Sequence, residues 1–192
     1  TRFTSDSVYL ANAIIDSRGS GELTVYADRP APEIDYNAAF SISDVSAAYP
    51  YLPHKVMKPK LKAWFQRALV EGSVPRGTLR MNGVLDKQFL RGQGGNLLVE
   101  GSARDVTLKY HPDGPAVERA DDEIVLDNTR LYSVRNRSIS LGNSSVDTEL
   151  EIGDLYNPVL SISALTTGTL ETMRQYALQS PLDRLTGGNL SR

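Results

Sequence analysis

Period-two alternation of apolar and polar residues recurs along most of this 192-residue chain, and it dictates sheet rather than helix. It appears in Thr78-Leu79-Arg80-Met81-Asn82-Gly83, in Val106-Thr107-Leu108-Lys109-Tyr110, in Ser138-Ile139-Ser140-Leu141-Gly142 and in Val159-Leu160-Ser161-Ile162-Ser163. Successive side chains of a strand point to opposite faces, so each run makes one apolar and one polar face. The question such a chain poses is what covers the apolar face.

Between these runs stand turn residues: Gly92-Gln93-Gly94-Gly95, His111-Pro112-Asp113-Gly114-Pro115, Asp127-Asn128, Gly142-Asn143 and Gly153-Asp154. Strands are predicted at 38–45, 77–85, 96–103, 105–110, 123–126, 129–134, 137–142, 145–152 and 159–166, so that 73–167 is a β-meander without intervening helix. An N-terminal hairpin is predicted over 7–28, turning through Asp16-Ser17-Arg18-Gly19-Ser20-Gly21. The main helix is predicted over 59–71, where Leu61, Trp64, Phe65, Ala68 and Leu69 make one apolar stripe. Pro59 opens it and Gly72 is its C′ stop. A short second helix over 169–180 takes Thr169 as N-cap and Glu171 in its first turn, presents Leu170, Met173 and Ala177 on one side, and is bounded by Pro181. The expected fold class is mainly β (α+β by content), with a curved antiparallel sheet carrying the two helices.

Length and composition suit one domain: 40% of residues are apolar and 23% charged. A formal net charge of −2 argues against non-specific nucleic-acid binding, which needs clustered cations. The absence of cysteine removes disulfides and thiolate chemistry. No apolar run reaches the ~18 residues of a membrane-spanning helix. Thr1-Arg2-Phe3-Thr4-Ser5-Asp6 does not read as a signal peptide, and the chain reads as a piece excised from a longer one.

Motifs that carry chemistry are sparse. His54 and His111 each sit beside a proline, with no His-Glu-x-x-His pair and no Gly-x-Ser-x-Gly elbow, so both read as loop residues. Asp121-Asp122-Glu123 lacks the ligand spacing of a calcium loop and reads as a solvated turn before a strand. The Gly92–Gly95 cluster leads into Asn96-Leu97-Leu98-Val99, a strand rather than the helix a phosphate loop requires. Asn-x-Ser tripeptides begin at Asn136, Asn143 and Asn189 and read as chance matches in polar turns. Lys55, Lys58, Lys60, Lys62 and Arg67 read as a solvated helix face, with contact to anionic lipid headgroups as the other reading. No catalytic residue, metal or cofactor is expected.

The order of motifs resembles the AsmA-like proteins of the YhdP group. The resemblance is carried by Tyr51-Leu52-Pro53 through Met57, the Trp64 helix with Ala68-Leu69, and Gly72-Ser73-Val74-Pro75-Arg76-Gly77 leading to Gly83. It continues through Val106-x-Leu108-x-Tyr110-x-Pro112, Asp127-Asn128-Thr129-Arg130-Leu131, Ile152-Gly153-Asp154-Leu155-x-x-Pro158 and Ser180-Pro181-Leu182, and so covers roughly 36–185. Two departures stand out: Asp86-Lys87-Gln88-Phe89-Leu90 replaces an Asp-Phe-Pro-Phe-like segment, and Gly114 stands where a tryptophan commonly precedes the proline. The resemblance implies one module (1–192) of a larger bacterial envelope protein, anchored in the inner membrane of a Gram-negative cell and mostly periplasmic. Such proteins fold a long twisted sheet into an open groove, a β-taco, that conducts phospholipid between inner and outer membranes.

On that reading Leu79 and Met81, Val106 and Leu108, Ile139 and Leu141, Leu150 and Ile152, and Leu160 and Ile162 share a face in pairs and line the groove. The implied partners are phospholipid acyl chains and, by sheet-edge pairing, adjacent modules of the same chain. Two alternatives stay open: a structural or adhesive β-module that binds protein, and an enzyme. The enzyme would need paired carboxylates in a cleft, for which Asp121 with Glu123 is the local candidate.

Overall fold

The alternating runs become strands of one sheet. A computed structural model describes residues 1–52, 58–91 and 94–180, the side chain of residue 135 excepted. In chain order the elements are β1 (Arg2–Ala11), β2 (Ile15–Thr24), β3 (Glu33–Ile42), α1 (Pro59–Ala68), β4 (Leu69–Val84), β5 (Gly95–Leu108), β6 (Val117–Asp127), β7 (Arg130–Ser140), β8 (Asn143–Ile152), β9 (Leu160–Thr167) and α2 (Leu170–Gln179). Among the described residues the nine strands form a single antiparallel meander in which each strand pairs with its sequence neighbours. This is the sheet the alternation predicts, with longer strands: β5 runs through both segments expected at 96–103 and 105–110, and β7 through those at 129–134 and 137–142.

Bulges make those long strands possible. The register shifts between Ala103 and Val106 and again between Val106 and Leu108, where Asp105 and Arg119 take left-handed φ of 51°. Among the other breaks, it shifts between Asp122 and Ile124 against β7, and between Val146 and Glu149 beside Asp147 at φ 49°. Each bulge adds a residue to one strand, bends it and resets which side chains share a face.

The first hairpin turns at residues 12–14, not at the Asp16–Gly21 cluster. Asn12 Oδ1 accepts from the backbone N–H groups of Ile14 and Ile15 and closes the turn. Gly19 and Gly21 lie inside β2, where a side chain on either would run into Tyr36 on β3. The Tyr36 ring occupies the space these glycines leave, an aromatic cover that lets a Gly/Ser-rich segment hold as a strand.

α1 ends at Ala68, short of the predicted 71. Leu69 turns extended (φ −87°, ψ 105°) and pairs with Leu108, so the chain passes from helix to strand without a glycine stop. Gly72 instead sits within β4 at φ 118°, against the backbone of Val106. Leu61 and Ala68 are buried, whereas Trp64, Phe65 and Leu69 are half-buried. α2 starts as predicted, with the Thr169 hydroxyl accepting from Thr172 N–H. Its expected apolar side is not buried: Leu170 is 85% exposed. The helix is held instead by Thr172, whose hydroxyl donates to Asn143 Oδ1 at 2.8 Å, and by the Tyr176 hydroxyl against that of Tyr110.

The β7–β8 turn falls one residue earlier than predicted. Leu141 (φ 49°) and Gly142 (φ 76°) form it, both left-handed as a two-residue hairpin requires. The buried Asn143 begins β8, and its Nδ2 donates to the carbonyls of Ser140 and Thr172. That double tie fixes the turn where it is, at the cost of a non-glycine residue in the left-handed region.

Among the described residues no second layer packs across the sheet. Beyond neighbouring strands, the main contacts are those of the 3-10 turn Phe89–Arg91 against β5 and of α1 against β4. The buried apolar cluster is small, formed by Ala103, Val106 and Ala120 with Val117 alongside.

Candidate functional site

The register joins one residue from every strand into a single transverse row. Val8 pairs with Gly19, Gly19 with Ala38, and Ala38 with Leu79. Leu79 pairs with Val99, Val99 with Leu126, and Leu126 with Leu131. Leu131 pairs with Ile152, and Ile152 with Leu160. Directly registered residues lie on the same face, so the row crosses nine strands without a polar side chain. At roughly 4.8 Å between strands it is about 38 Å long.

The residues one position along make the matching row on the other face, and it is largely polar. It runs through Tyr9, Arg18 and Ala39, then Thr78, Glu100 and Val125, and ends on Tyr132, Glu151 and Ser161. Cross-strand charge pairs secure that face: Arg130 with Glu151 at 2.7 Å, Arg104 with Glu123 at 2.9 Å and Arg137 with Asp121 at 2.6 Å.

Flanking rows widen the apolar stripe. Tyr36, Met81 and Leu97 are in register on one side, and Phe40, Gly77, Gly101 and Ile124 on the other. The Phe40 ring lies over Gly77, as Tyr36 lies over Gly19 and Gly21, so aromatic carbon fills what the glycines leave. Most of these side chains are half-buried by neighbours in the sheet itself, and at the ends of the row Val8 is 42% and Ile162, next to Leu160 on the same face, 48% exposed.

Of the residues singled out from sequence, Leu79, Ile152 and Leu160 stand in the row. Met81, Leu150 and Ile162 adjoin it on the same face, Leu150 paired with Ile162. Val106 belongs to the small buried cluster, and Leu108 lies between Leu69 and Val117 at the strand end. Two expectations fail. Ile139 pairs with Glu118 and Ser144 and shares its face with Arg137, because the break between Asp122 and Ile124 puts an extra residue into β7 and flips everything after it. Leu141 lies in the turn and shares no strand face with Ile139. Sequence reasoning missed Val99, Leu126 and Leu131, and it missed Ile34, Tyr36 and Ala38, whose alternation with Glu33, Asp35 and Asn37 was the available signal.

Asp121-Asp122-Glu123 is not a turn but part of β6, its carboxylates alternating between faces. On the polar face the Arg137 guanidinium holds the Asp121 carboxyl below its ordinary range, and the Ser102 hydroxyl, then Arg104, does the same for Glu123. Both are acceptors locked in ion pairs, and neither has the raised pKa of a general acid. Asp122, on the other face, is 7% exposed, and burial pushes its carboxyl up to about 6. Nothing among the described residues groups three or more metal-ligating side chains. His111 Nδ1 accepts from Asp113 N–H in its turn, which is a local loop role. His54, Lys55, Gly92, Gln93, Pro181 and Asn189 lie outside the described residues. Asn143 is fully buried and Asn136 bonds Asp122, so neither amide presents itself to solvent.

A mainly antiparallel sheet whose apolar row runs transversely through every strand, with no second layer across it among the described residues, is consistent with the curved sheet that the sequence resemblance implied. The family model of the YhdP proteins matches residues 1–192, the whole chain. The chain belongs to the YhdP family. No curated protein and no solved structure matches it. Membership suggests a lipid-transport-type protein of the bacterial envelope. Among its described residues this YhdP-family chain has no helix long and apolar enough to cross a membrane.

Proposed function

We propose that this chain is a periplasmic, non-enzymatic module that conducts phospholipid between the inner and outer membranes, its acyl chains lying along the transverse row. One observation carries the reading: from Val8 to Leu160 the row presents no polar side chain, and among the described residues no second layer packs across it. An acyl chain drawn out of a bilayer loses about 0.8 kcal/mol for each CH₂ exposed to water. A path lowers that barrier only where its lining is continuous, since each unpaired polar group in it costs kilocalories. One leaflet contributes about half of the ~30 Å bilayer hydrocarbon, so a ~38 Å row accepts a chain at any point along its length. Adjacent modules of the longer chain would extend the path by pairing with β1 and β9, the edge strands.

A photo-reactive residue placed at Leu79 or Leu126 tests this in cells, with Thr78 and Val125 as controls one position away on the opposite face. The expected outcome is phospholipid adducts at the first pair and few at the second. Equal yields at all four positions, or protein adducts alone at Leu79 and Leu126, would overturn it and favour a structural or protein-binding module.

A further inference from the structure

We infer that Asp122 in its protonated form pairs head to head with Asn136, forming a neutral acid–amide clasp between β6 and β7 on the apolar face. Asp122 and Asn136 are directly registered across those strands. Asn136 Nδ2 donates to Asp122 Oδ2 at 3.0 Å. The two remaining oxygens, Asp122 Oδ1 and Asn136 Oδ1, are buried and both lack a partner among the described residues.

An ionised carboxylate accepts hydrogen bonds and donates none, and an amide oxygen likewise only accepts. With Asp122 charged, two buried acceptors therefore remain without a donor among the described residues, and each forfeits a hydrogen bond that water supplies in the unfolded chain. One proton on Asp122 Oδ1 serves both at once, because the carboxyl O–H then donates to Asn136 Oδ1 while the amide N–H donates back. Turning the Asn136 amide over merely exchanges which oxygens meet; it supplies no second donor.

The surroundings favour the uncharged form. Ala103 is the registered neighbour on β5, so that side offers neither cation nor donor. The flanking acids on β6, Asp121 and Glu123, sit on the other face and take Arg137 of β7 and Arg104 of β5 as partners. Glu123 adds repulsion, so among the described side chains no cation is left to compensate a charge at Asp122. The carboxyl's rise from 3.8 to about 6 through burial points the same way. The proton assignment holds whether or not the face carries lipid. Where it does, the protonated clasp keeps a carboxylate out of the apolar lining next to Ile124 and Ala120.

The sign of the pH effect follows from linkage. The folded chain binds this proton more tightly than the unfolded chain, so the contribution is full below about 3.8 and is lost as pH rises through about 6. The test uses the 192-residue chain. Carbon NMR of side-chain carboxyls, with the Asp122 signal assigned by its loss in Asp122→Asn, should show a midpoint at about 6 or higher. Thermal melts of the parent and two variants give the second readout. Asp122→Asn keeps both bonds without a proton, so its melting temperature should gain on the parent's between pH 4 and 7. Asp122→Leu leaves Asn136 unpaired and should melt below Asp122→Asn at every pH. A midpoint near 3.8, a pH-independent difference between parent and Asp122→Asn, or Asp122→Leu as stable as Asp122→Asn would overturn the clasp.

Discussion

Trp64 on α1 donates its indole N–H to the carbonyl oxygen of Tyr110 at 3.0 Å, across 46 residues of chain. The Tyr110 hydroxyl in turn lies 3.3 Å from that of Tyr176 on α2. Both helices are thus tied to one residue just past the end of β5, at the strand ends where β4 begins and β7 finishes. Burial, then the Tyr176 hydroxyl, raises the Tyr110 phenol well above its ordinary pKa, so this link stays neutral at physiological pH. The helices hold the end of the sheet, and among the described residues nothing further packs across its apolar row.

Trp64→Phe keeps an aromatic ring and loses the N–H, which should cost about 1 kcal/mol in chemical denaturation. Trp64→Ala should cost about 2–3 kcal/mol, below the usual penalty for a fully buried ring because Trp64 is only half-buried. Leu61→Ala, at a site 5% exposed, should cost at least as much. A Trp64→Ala variant within about 0.5 kcal/mol of the parent would place that ring in solvent and refute the docking of α1.

The Asp121–Arg137 pair makes a prediction with the opposite pH sign to that of the acid–amide clasp. Arg137 lowers the folded carboxyl's pKa, so its stabilisation is present above the ordinary carboxylate value of 3.8 and is lost as pH falls through the depressed folded value. The Arg137 side chain is 74% exposed, so solvent screens the pair and its worth is about 0.5 kcal/mol. Arg137→Gln should therefore lower stability slightly at pH 7 in low salt. The difference should vanish in about 1 M salt, where the screening length is near 3 Å. A salt-independent loss would show that Arg137 acts through packing rather than charge.

What the sequence made legible is what alternation and local bonding encode. Leu79 and Met81, Leu150 and Ile152, and Leu160 and Ile162 needed only period two, and Thr169 needed only its hydroxyl before a helical stretch. What stayed hidden depends on partners far away in the chain. The Gly19 and Gly21 segment reads as a turn until the Tyr36 ring is placed over it, and the real turn at Asn12 rests on one side chain's two hydrogen bonds. Ile139 falls on the face opposite to the one that strict alternation predicts, because a single extra residue upstream in β7 inverts every position after it. Composition carries no trace of such a bulge. The continuous row is likewise a property of register, and no window of sequence contains it.

The edges of the sheet give the last prediction. Among the described residues β1 pairs only with β2 and is exposed along its whole length, and β9 pairs only with β8 and is exposed beyond Leu160. α2 follows β9 directly yet bonds the β7–β8 turn through Asn143 and does not shield the edge. Each edge strand carries a line of backbone groups that can pair with another strand, next to apolar side chains such as Val8, 42% exposed, and Leu165, 66% exposed. In a longer chain, neighbouring modules would satisfy both edges. Taken alone, this chain should self-associate as its concentration rises, measured by sedimentation velocity. Val8→Lys with Leu165→Lys should suppress the association without lowering the melting temperature by more than a few degrees, because a charge at an exposed edge deters pairing at little cost to the fold. A parent that stays monomeric at high concentration would mean that the edges do not template strand addition, and stacking of modules by edge pairing would then be wrong.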